Sequence, residues 1–401
     1  MQHDQVLSPI GQGHDTRQWT YWRNMTLLFL LYFSQGVIAG LVGGTFPVVL
    51  RERLSYGRNG LFSIALYPYS LKALWSPLID AMRNRQLGHR KGWIVPALVI
   101  SGLSLLILGL NMPLFMKMIL SANAGVVLVV TILLVVVLAS ATQGAAADGW
   151  ALELFSRDHA HHVSITHHLG MVLGEFFSYS AFLWIASLRS DSPPQAQTPN
   201  GIDHLLSGFV TFCALINLGL ALPCVLSTPE VIFPGQERQT MSVKAAYKRT
   251  LELFGLKPLL MTTLVHLLSQ ISFEAHDAAT NLKLLDQGFG EANLAIVSTI
   301  DLVMDMLSSY STKFLCVKFR PLELWCWAFV GRTIAVLLAQ LIIALNSGPR
   351  DPNHPLLFAL VVVEHACSTS TATIMFVSFL TFHLQVSDPA FGSTYLTLLA
   401  T

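Results

Sequence analysis

A lysine at position 72 lies inside an apolar stretch, YPYSLKALWSPLID, about two helical turns before Asp80. A cation in the hydrocarbon zone of a membrane is costly, and by default it binds an anion, pairs with an acid or faces water. Arg332 occupies the comparable position in the second half of the chain. Contact with an anionic substrate is one interpretation of both cations. An internal salt bridge or gate, for Lys72 with Asp148 or Glu175, is an equal alternative, and snorkelling to an interface is the third interpretation.

Other polar residues inside apolar segments extend this candidate site. Tyr69, Trp75 and Gln143 are further candidates for substrate contacts. Carboxylates in apolar surroundings can carry protons, and Asp301 and Asp305, four residues apart, share one helix face. For any single acid, helix capping or interhelical hydrogen bonding is the stronger interpretation, but as a set the acids mark a hydrated path. The candidates for proton coupling or gating are Asp80, Asp148, Glu175, Asp301, Asp305 and Glu364.

A short basic loop follows Asp80 and contains Arg83, Arg85, Gly88, Arg90 and Lys91. Short loops dense in Lys and Arg normally stay in the cytoplasm. We therefore interpret Gly88, Arg90 and Lys91 as part of a cytoplasmic hinge loop between two spans.

The composition indicates a membrane protein, and the lack of catalytic motifs predicts that it is not an enzyme. Hydrophobic residues make up 53% and charged residues 12%, against roughly a quarter charged in soluble domains. The net charge of +1 argues against nucleic acid as a partner. No nucleophile elbow, phosphate-binding glycine loop or zinc-protease motif occurs in a suitable context.

Neither the cysteines nor the histidines predict a metal or cofactor. The five cysteines lie in or beside apolar segments without a CxxC pair, which is typical of small core residues. The histidines of the 159–168 stretch lack paired Asp or Cys spacing, so we expect no metal there.

Ten apolar segments are long enough to span a bilayer, which needs about 20 residues each. The ten segments are 25–49, 60–79, 93–112, 123–147, 164–186, 205–227, 257–275, 293–311, 324–346 and 355–383.

An amphipathic helix is predicted in the longest polar connection, with Lys and Arg flanking Val243, Tyr247 and Leu251. It lies either on the cytoplasmic membrane surface or in a solvated linker.

These segments predict an all-α membrane protein of about 10–11 transmembrane helices. The basic loop after Asp80, with Gly88-His-Arg90-Lys91, resembles the loop signature of the major facilitator superfamily, which implies a major facilitator-type bundle. We expect a cytoplasmic N-terminal tail (1–24), a six-helix bundle (25–227), a cytoplasmic central loop (228–256) and a second helical bundle (257–401). Because the chain ends where an eleventh apolar segment begins, we expect the second bundle to be incomplete and this form to be poorly active. The N-terminus lacks a cleavable signal pattern.

The distribution of basic residues orients the predicted spans. The N-terminus and the loops on its side hold fifteen Lys and Arg residues, against seven in the opposite loops. The bias predicts that the N-terminus lies in the cytoplasm. Asymmetric multi-helix halves with polar residues along a central path are typical of a secondary transporter.

Four stretches resemble one known family: PYSLKALWSPLID with GHRKGW, TQGAAADGWAL, HDAATNLKLLDQG and DPAFGSTYLTLLAT. The chain is similar to the acetyl-coenzyme A transporters of the endoplasmic reticulum membrane, from about Leu31 to Thr401. The resemblance implies a major facilitator protein that moves cytosolic acetyl-CoA into the lumen. Phosphate binding by Lys72 and Arg332 would follow from charge.

Two other functions fit the same residues. The same stretches also resemble, more distantly, the bacterial muropeptide permeases. That resemblance implies proton symport of another organic anion or a muropeptide-like solute. A receptor or scaffold with this fold is the third hypothesis, although a purely structural bundle would rarely contain two isolated intramembrane cations. The expected partners are a small-molecule substrate and the bilayer, with self-association left open and no cofactor.

Overall fold

The computed structural model describes residues 12–51, 53–82, 87–190, 199–227, 242–253, 255–346, 355–388 and 392–400. Arg83 and Arg85 of the basic loop lie outside this described part, as do residues 1–11 of the predicted tail. The described residues form helices and short connections, without a β-strand. A helix satisfies its backbone hydrogen bonds within one segment, as a bilayer requires.

The predicted first six segments correspond to helices that are longer or more broken than the apolar runs alone. Helix α1 begins at Gln12, within the predicted tail. The second segment is divided by 3₁₀ turns at Leu61–Leu66 and Lys72–Leu74. The helices are α1 Gln12–Gly40, α2 Phe46–Arg51, α3 Tyr56–Gly60, α4 Tyr67–Leu71, α5 Ser76–Ala81, α6 Lys91–Leu110, α7 Met112–Ser121, α8 Asn123–Leu154, α9 Ala160–Phe176, α10 Phe182–Ser190 and α11 Pro199–Leu226.

The remaining helices follow the predicted order closely. The predicted amphipathic helix is present, and four long helices come after it. A last short helix occupies the apolar run near the end of the described residues. The helices are α12 Val243–Leu253, α13 Lys257–Asp286, α14 Glu291–Lys318, α15 Pro321–Asn346, α16 Pro355–Val386 and α17 Gly392–Ala400.

Fewer helices are both long and apolar enough to cross a membrane than the ten predicted segments. In the described part, seven helical stretches meet both conditions, or eight if the bent pair Val243–Glu252 and Lys257–Asp286 is one span. The second predicted segment is excluded because its helix is broken into short pieces. Helix α14 is long enough but lies outside that set, and it carries Asp301 and Asp305.

The first of two compact units lies within residues 1–72, 83–154 and 170–237. Its core is formed by apolar side chains from α1, α6, α8 and α11, among them Ile38, Leu105, Val136 and Val210. These side chains are fully buried. In a bilayer such packing is stabilised mainly by close van der Waals contact.

Glycines allow α1 to cross α9 at very short range within this unit. A Cβ added at Gly36 would lie 2.2 Å from the Met171 carbonyl oxygen, and one at Gly174 would lie 2.2 Å from that of Phe33. Each helix then passes through a π-helical turn, at Leu41–Thr45 and Phe177–Ala181. The Thr45 hydroxyl donates to the Ser178 carbonyl at 2.9 Å and so joins the two turns.

The second compact unit lies within residues 73–82, 155–169 and 238–401. Helices α15 and α16 pack along each other, and α14 packs on α16. An aromatic cluster of Phe273, Trp325 and Phe379 fills one part of the interior. Helices α14 and α16 carry Asp301, Asp305, Glu364 and His365.

Helix α12 packs on α5 through a narrow face. Ala246 and Thr250 are buried, and the Tyr247 hydroxyl donates to the Leu74 carbonyl at 2.8 Å. The predicted apolar stripe is exposed, with Leu251 at 70%. An exposed apolar stripe is what a helix on a membrane surface requires, and that position remains a prediction.

Candidate functional site

Lys72 is half-buried and begins the 3₁₀ turn after α4. Within the described residues its amine makes no hydrogen bond or ion pair. The alternative salt bridges to Asp148 and Glu175 therefore do not form in this structure, and the interpretation of Lys72 as an anion-binding cation stays a prediction.

Tyr69 lies three residues before Lys72, a spacing that places both on one side of a helical turn. The Tyr69 hydroxyl lies 2.9 Å from Ser140 Oγ and 3.4 Å from the carbonyl oxygen of Gln35. These contacts with α8 and α1 fix the position of the phenol ring beside the turn that carries the lysine.

Gln143 belongs to a buried polar row between α1 and α8. Its amide nitrogen donates to the Leu31 carbonyl at 2.9 Å, which fixes the orientation of the amide. Its side-chain oxygen, like that of Gln35, has no hydrogen-bond partner among the described residues. Asp148 continues the row and accepts a hydrogen bond from the Tyr32 hydroxyl at 2.9 Å. Buried acceptors such as the two amide oxygens are costly until a donor binds them.

The described part of the basic loop is anchored to the ends of α8 and α11. Gly88 has a φ of 100°, which an L side chain rarely adopts. Arg90 is fully buried and its Nε donates to Glu153 Oε1 at 3.0 Å. Lys91 is the first residue of α6 and donates to the Ser227 carbonyl at 2.8 Å. These contacts attach the loop firmly to the first unit.

Three other predicted residues have different surroundings. Asp80, in the second unit, accepts hydrogen bonds from the backbone of Ser393 and Thr394 at the start of α17. Trp75 is half-buried just before α5, and its carbonyl accepts the first hydrogen bond of that helix. Glu175 is exposed within the first unit.

Arg332 forms an ion pair in this structure, which is the internal salt bridge that the sequence left open as an alternative to substrate contact. Its Nη2 lies 2.6 Å from Asp277 Oδ2, and its guanidinium lies 4.4 Å from the Phe273 ring centre. The Arg332 side chain is 10% exposed, while that of Asp277 is 45% exposed. Arg332 Nε has no acceptor among the described residues. The guanidinium therefore retains a donor that this part of the chain does not use.

Asp277 begins a series of alternating acids and histidines within the second unit. His276 Nε2 lies 4.0 Å from Asp277 Oδ1 and 3.4 Å from Glu364 Oε1. Next to Glu364, whose side chain is 2% exposed, His365 Nδ1 pairs with Asp301 Oδ2 at 2.9 Å. Such a chain of titratable groups can hold and pass protons.

Asp305 extends the same series by one helical turn. As predicted from their spacing, Asp301 and Asp305 meet one helix, α16, through Thr369 and Thr373. Asp305 Oδ1 also lies 2.7 Å from His168 Nε2. Acid–histidine pairs therefore continue from α14 to α9.

Sequence reasoning did not select His276, Asp277 or His168 as site residues. His276 and Asp277 lie in HDAATNLKLLDQG, one of the stretches that carry the family resemblance. Their place in that stretch is the signal that could have identified them as site residues. Among the described residues no group of three or more His, Cys, Asp or Glu side chains could hold a metal ion.

The architecture is that of the major facilitator transporters. The chain superposes on the Escherichia coli fucose:proton symporter with a TM-score of 0.64 at 14% identity, covering 95% of this chain and 89% of that one. The major facilitator proton:xylose symporter gives 0.67 at 12% identity, covering 96% and 86%. The predicted fold class is thereby confirmed, and the chain is a multi-pass membrane protein.

The sequence comparison identifies the family. The family model described as acetyl-coenzyme A transporter 1 matches residues 24–235, 234–321 and 306–401. The chain therefore belongs to the acetyl-coenzyme A transporter 1 family and is a membrane transporter, as its sequence predicts.

Its curated relatives are less informative about substrate. An uncharacterised membrane protein of Saccharomyces cerevisiae is 29% identical, over 94% of this chain and 80% of its own. An uncharacterised protein of Schizosaccharomyces pombe is 28% identical, over 94% and 71%. The Escherichia coli anhydromuropeptide permease is 24% identical over 40% of this chain and 31% of its own.

Proposed function

We propose that this transporter moves acetyl-CoA from the cytosol into the lumen of the endoplasmic reticulum by alternating access. The observation that carries the proposal is the family match, which extends over residues 24–401 in three overlapping pieces. The excess of Lys and Arg in the N-terminus and the loops on its side supports an N-terminus that faces the cytoplasm.

Lys72 is proposed as the cation that attracts the negatively charged part of this substrate. Acetyl-CoA carries several phosphate charges, and an ammonium acts on them as a point charge. The amine of Lys72 has no acidic partner among the described residues, so it needs no rearrangement before an anion binds. The nearby hydroxyl of Tyr69 and the buried amide of Gln143 are proposed to contact uncharged parts of the substrate.

Proton coupling is proposed for the acid–histidine series of the second unit. Glu364 and Asp301 each face a histidine, within 3.4 Å and 2.9 Å respectively. A proton that enters such a pair neutralises a buried charge, and its release restores that charge. We assign Asp80 and Asp148 to structure, because hydroxyl or backbone donors already satisfy them.

The test is uptake of labelled acetyl-CoA into proteoliposomes, with and without an inward proton gradient. We expect saturable uptake by the wild type and its loss in Lys72→Ala. Lys248→Ala is the matched control, because that lysine is 78% exposed on the surface of α12. Equal uptake by wild type and Lys72→Ala would show that Lys72 does not bind the substrate.

A second candidate is proton symport of another organic anion or a muropeptide-like solute. The partial similarity to the anhydromuropeptide permease favours it, although that similarity covers 40% of this chain. Uptake of each labelled solute in turn separates the two functions. If labelled anhydromuropeptide accumulates and acetyl-CoA does not, the second candidate replaces the first.

A further inference from the structure

The ion pair between Arg332 and Asp277 is unequal in its exposure. Arg332 is a buried residue of α15 and contacts Asp277 at 2.6 Å and the face of Phe273 at 4.4 Å. Asp277 has 45% of its side chain exposed, against 10% for Arg332. The carboxylate is therefore the more accessible member of the pair and the guanidinium the more buried one. The Nε of Arg332, which has no acceptor among the described residues, is a donor for any anion that takes its place.

Asp277 also lies beside a second pair of titratable groups. His276 Nε2 is 4.0 Å from Asp277 Oδ1 on one side and 3.4 Å from Glu364 Oε1 on the other. The other ring nitrogen of His276 lies 2.8 Å from the Thr280 hydroxyl. Any change in the partner of Asp277 therefore changes the electrostatic surroundings of the His276–Glu364 pair directly.

We propose that Asp277 is an internal counter-ion of Arg332 that an anionic group of the substrate displaces, and that this displacement is coupled to uptake of a proton by the His276–Glu364 pair. The proposal deepens the function proposed above and rests on an anionic substrate. It adds Asp277 as the residue that connects the anion site to the proton site.

The charge balance gives the direction of the coupling. The bound anion takes over the positive charge of Arg332, which leaves the carboxylates of Asp277 and Glu364 on either side of one histidine without a cation. Both carboxylates lie within 4.0 Å of His276 Nε2, and one proton on the His276–Glu364 pair offsets the negative charge that the loss of Arg332 leaves there. Substrate and proton thus bind together, and by reciprocity each increases the affinity for the other.

The other charged groups near this pair are either already paired or acidic. His365 of α16 lies 3.8 Å from Glu364 Oε2, but its other ring nitrogen is already engaged with Asp301 of α14 at 2.9 Å. On α13 itself, Glu274 is exposed and acidic. Arg332 is the only cation that α15 contributes to an ion pair with α13 in the described part. We assign the balancing charge to a proton that the His276–Glu364 pair takes up from solution.

The experiment measures acetyl-CoA affinity as a function of pH in the purified protein. For the wild type we expect tighter binding as the pH falls. Asp277→Asn removes the competing carboxylate, so the Kd should fall about tenfold and lose most of its pH dependence, because Arg332 no longer has to be vacated first. In proteoliposomes the same variant should exchange substrate but fail to accumulate it on a proton gradient.

Glu274→Gln is the matched control, because it removes the same charge from the same helix one turn earlier and should behave as wild type. If Asp277→Asn is poorly folded, Asp277→Asn combined with Arg332→Gln restores neutrality and should bind substrate weakly at every pH. A Kd for Asp277→Asn that keeps the wild-type value and pH dependence would overturn the proposal, while acetyl-CoA transport by the wild type would still stand.

A separate probe tests the inference if wild type does not bind acetyl-CoA. Inorganic pyrophosphate carries the same kind of anionic group, and it should raise the melting temperature of the wild type more at low pH than at high pH. Arg332→Gln should abolish that stabilisation and Asp277→Asn should increase it. Equal stabilisation in all three proteins would refute the counter-ion role independently of the substrate.

Discussion

Replacing Asp80 by Asn should loosen the attachment of α17. The Asp80 carboxylate accepts hydrogen bonds from the Thr394 hydroxyl at 2.6 Å, the Thr394 N–H at 2.7 Å and the Ser393 N–H at 3.3 Å. Ser393 and Thr394 are the second and third residues of α17, whose N–H groups have no acceptor within the helix. Asp80 thus acts as an N-cap supplied by a helix far away in the sequence.

The expected magnitude follows from the charge of this cap. A hydrogen bond to a charged group contributes about 1.5–3 kcal/mol, and a neutral one about 1 kcal/mol. The negative charge at a helix N-terminus adds about 0.3–1 kcal/mol. Asn keeps one oxygen acceptor but loses the charge, so we expect a loss of about 2 kcal/mol, which is roughly a thirtyfold shift toward detached α17.

Hydrogen exchange followed by mass spectrometry measures this shift directly. Backbone amides of 392–400 should exchange roughly thirtyfold faster in Asp80→Asn, while those of α15 keep their rates. Glu252→Gln, at an acid that is 62% exposed on α12, should leave all rates unchanged. If α17 exchanges at the wild-type rate in Asp80→Asn, the carboxylate does not hold the helix and the reasoning is wrong.

Two further predictions concern stability. Gly174→Ala should lower the melting temperature and the free energy of unfolding by about 1–3 kcal/mol, because its Cβ would lie 2.2 Å from the Phe33 carbonyl oxygen. The control is Gly208→Ala, where an added Cβ meets no atom within 4 Å, and it should be neutral or stabilising. Equal effects of the two substitutions would contradict the close crossing of α1 and α9. His383→Phe should raise the melting temperature, because both ring nitrogens of this 3%-exposed histidine lack partners among the described residues and it packs on Phe379. A lower melting temperature in His383→Phe would mean that an imidazole nitrogen of His383 forms a hydrogen bond in the folded protein.

The fold class could be predicted because its determinants are local. Length and apolarity of a segment decide whether it can cross a bilayer, and both can be read from consecutive residues. The spacing of Asp301 and Asp305 likewise predicted a shared face, and both contact α16. The breaks in the second segment were harder to predict. Pro68 and Pro77 mark places where a helix can begin or bend, but no residue type between them indicates the 3₁₀ turn at Lys72–Leu74.

The partners within the site could not be predicted, because they are distant in sequence. Arg332 and Asp277 are 55 residues apart, and His365 and Asp301 are 64 apart. A single sequence gives the faces of each helix but not which helices pack together. The seventh predicted segment also ends at residue 275, just before Asp277 and its neighbouring histidine, whereas α13 continues to Asp286. The apolar run therefore stopped short of the polar residues that the site uses.

The two π-helical turns at Leu41–Thr45 and Phe177–Ala181 have a consequence for how this sequence is aligned with its relatives. A π turn accommodates one residue more than an α turn over the same rise, so each amounts to a single-residue insertion in a helix. A relative that lacks the insertion keeps the same helix faces on both sides only if the alignment opens a one-residue gap there. Without that gap, every residue between the turn and the next loop is matched to a position rotated by about 100° around the helix, so buried and lipid-facing positions are confused.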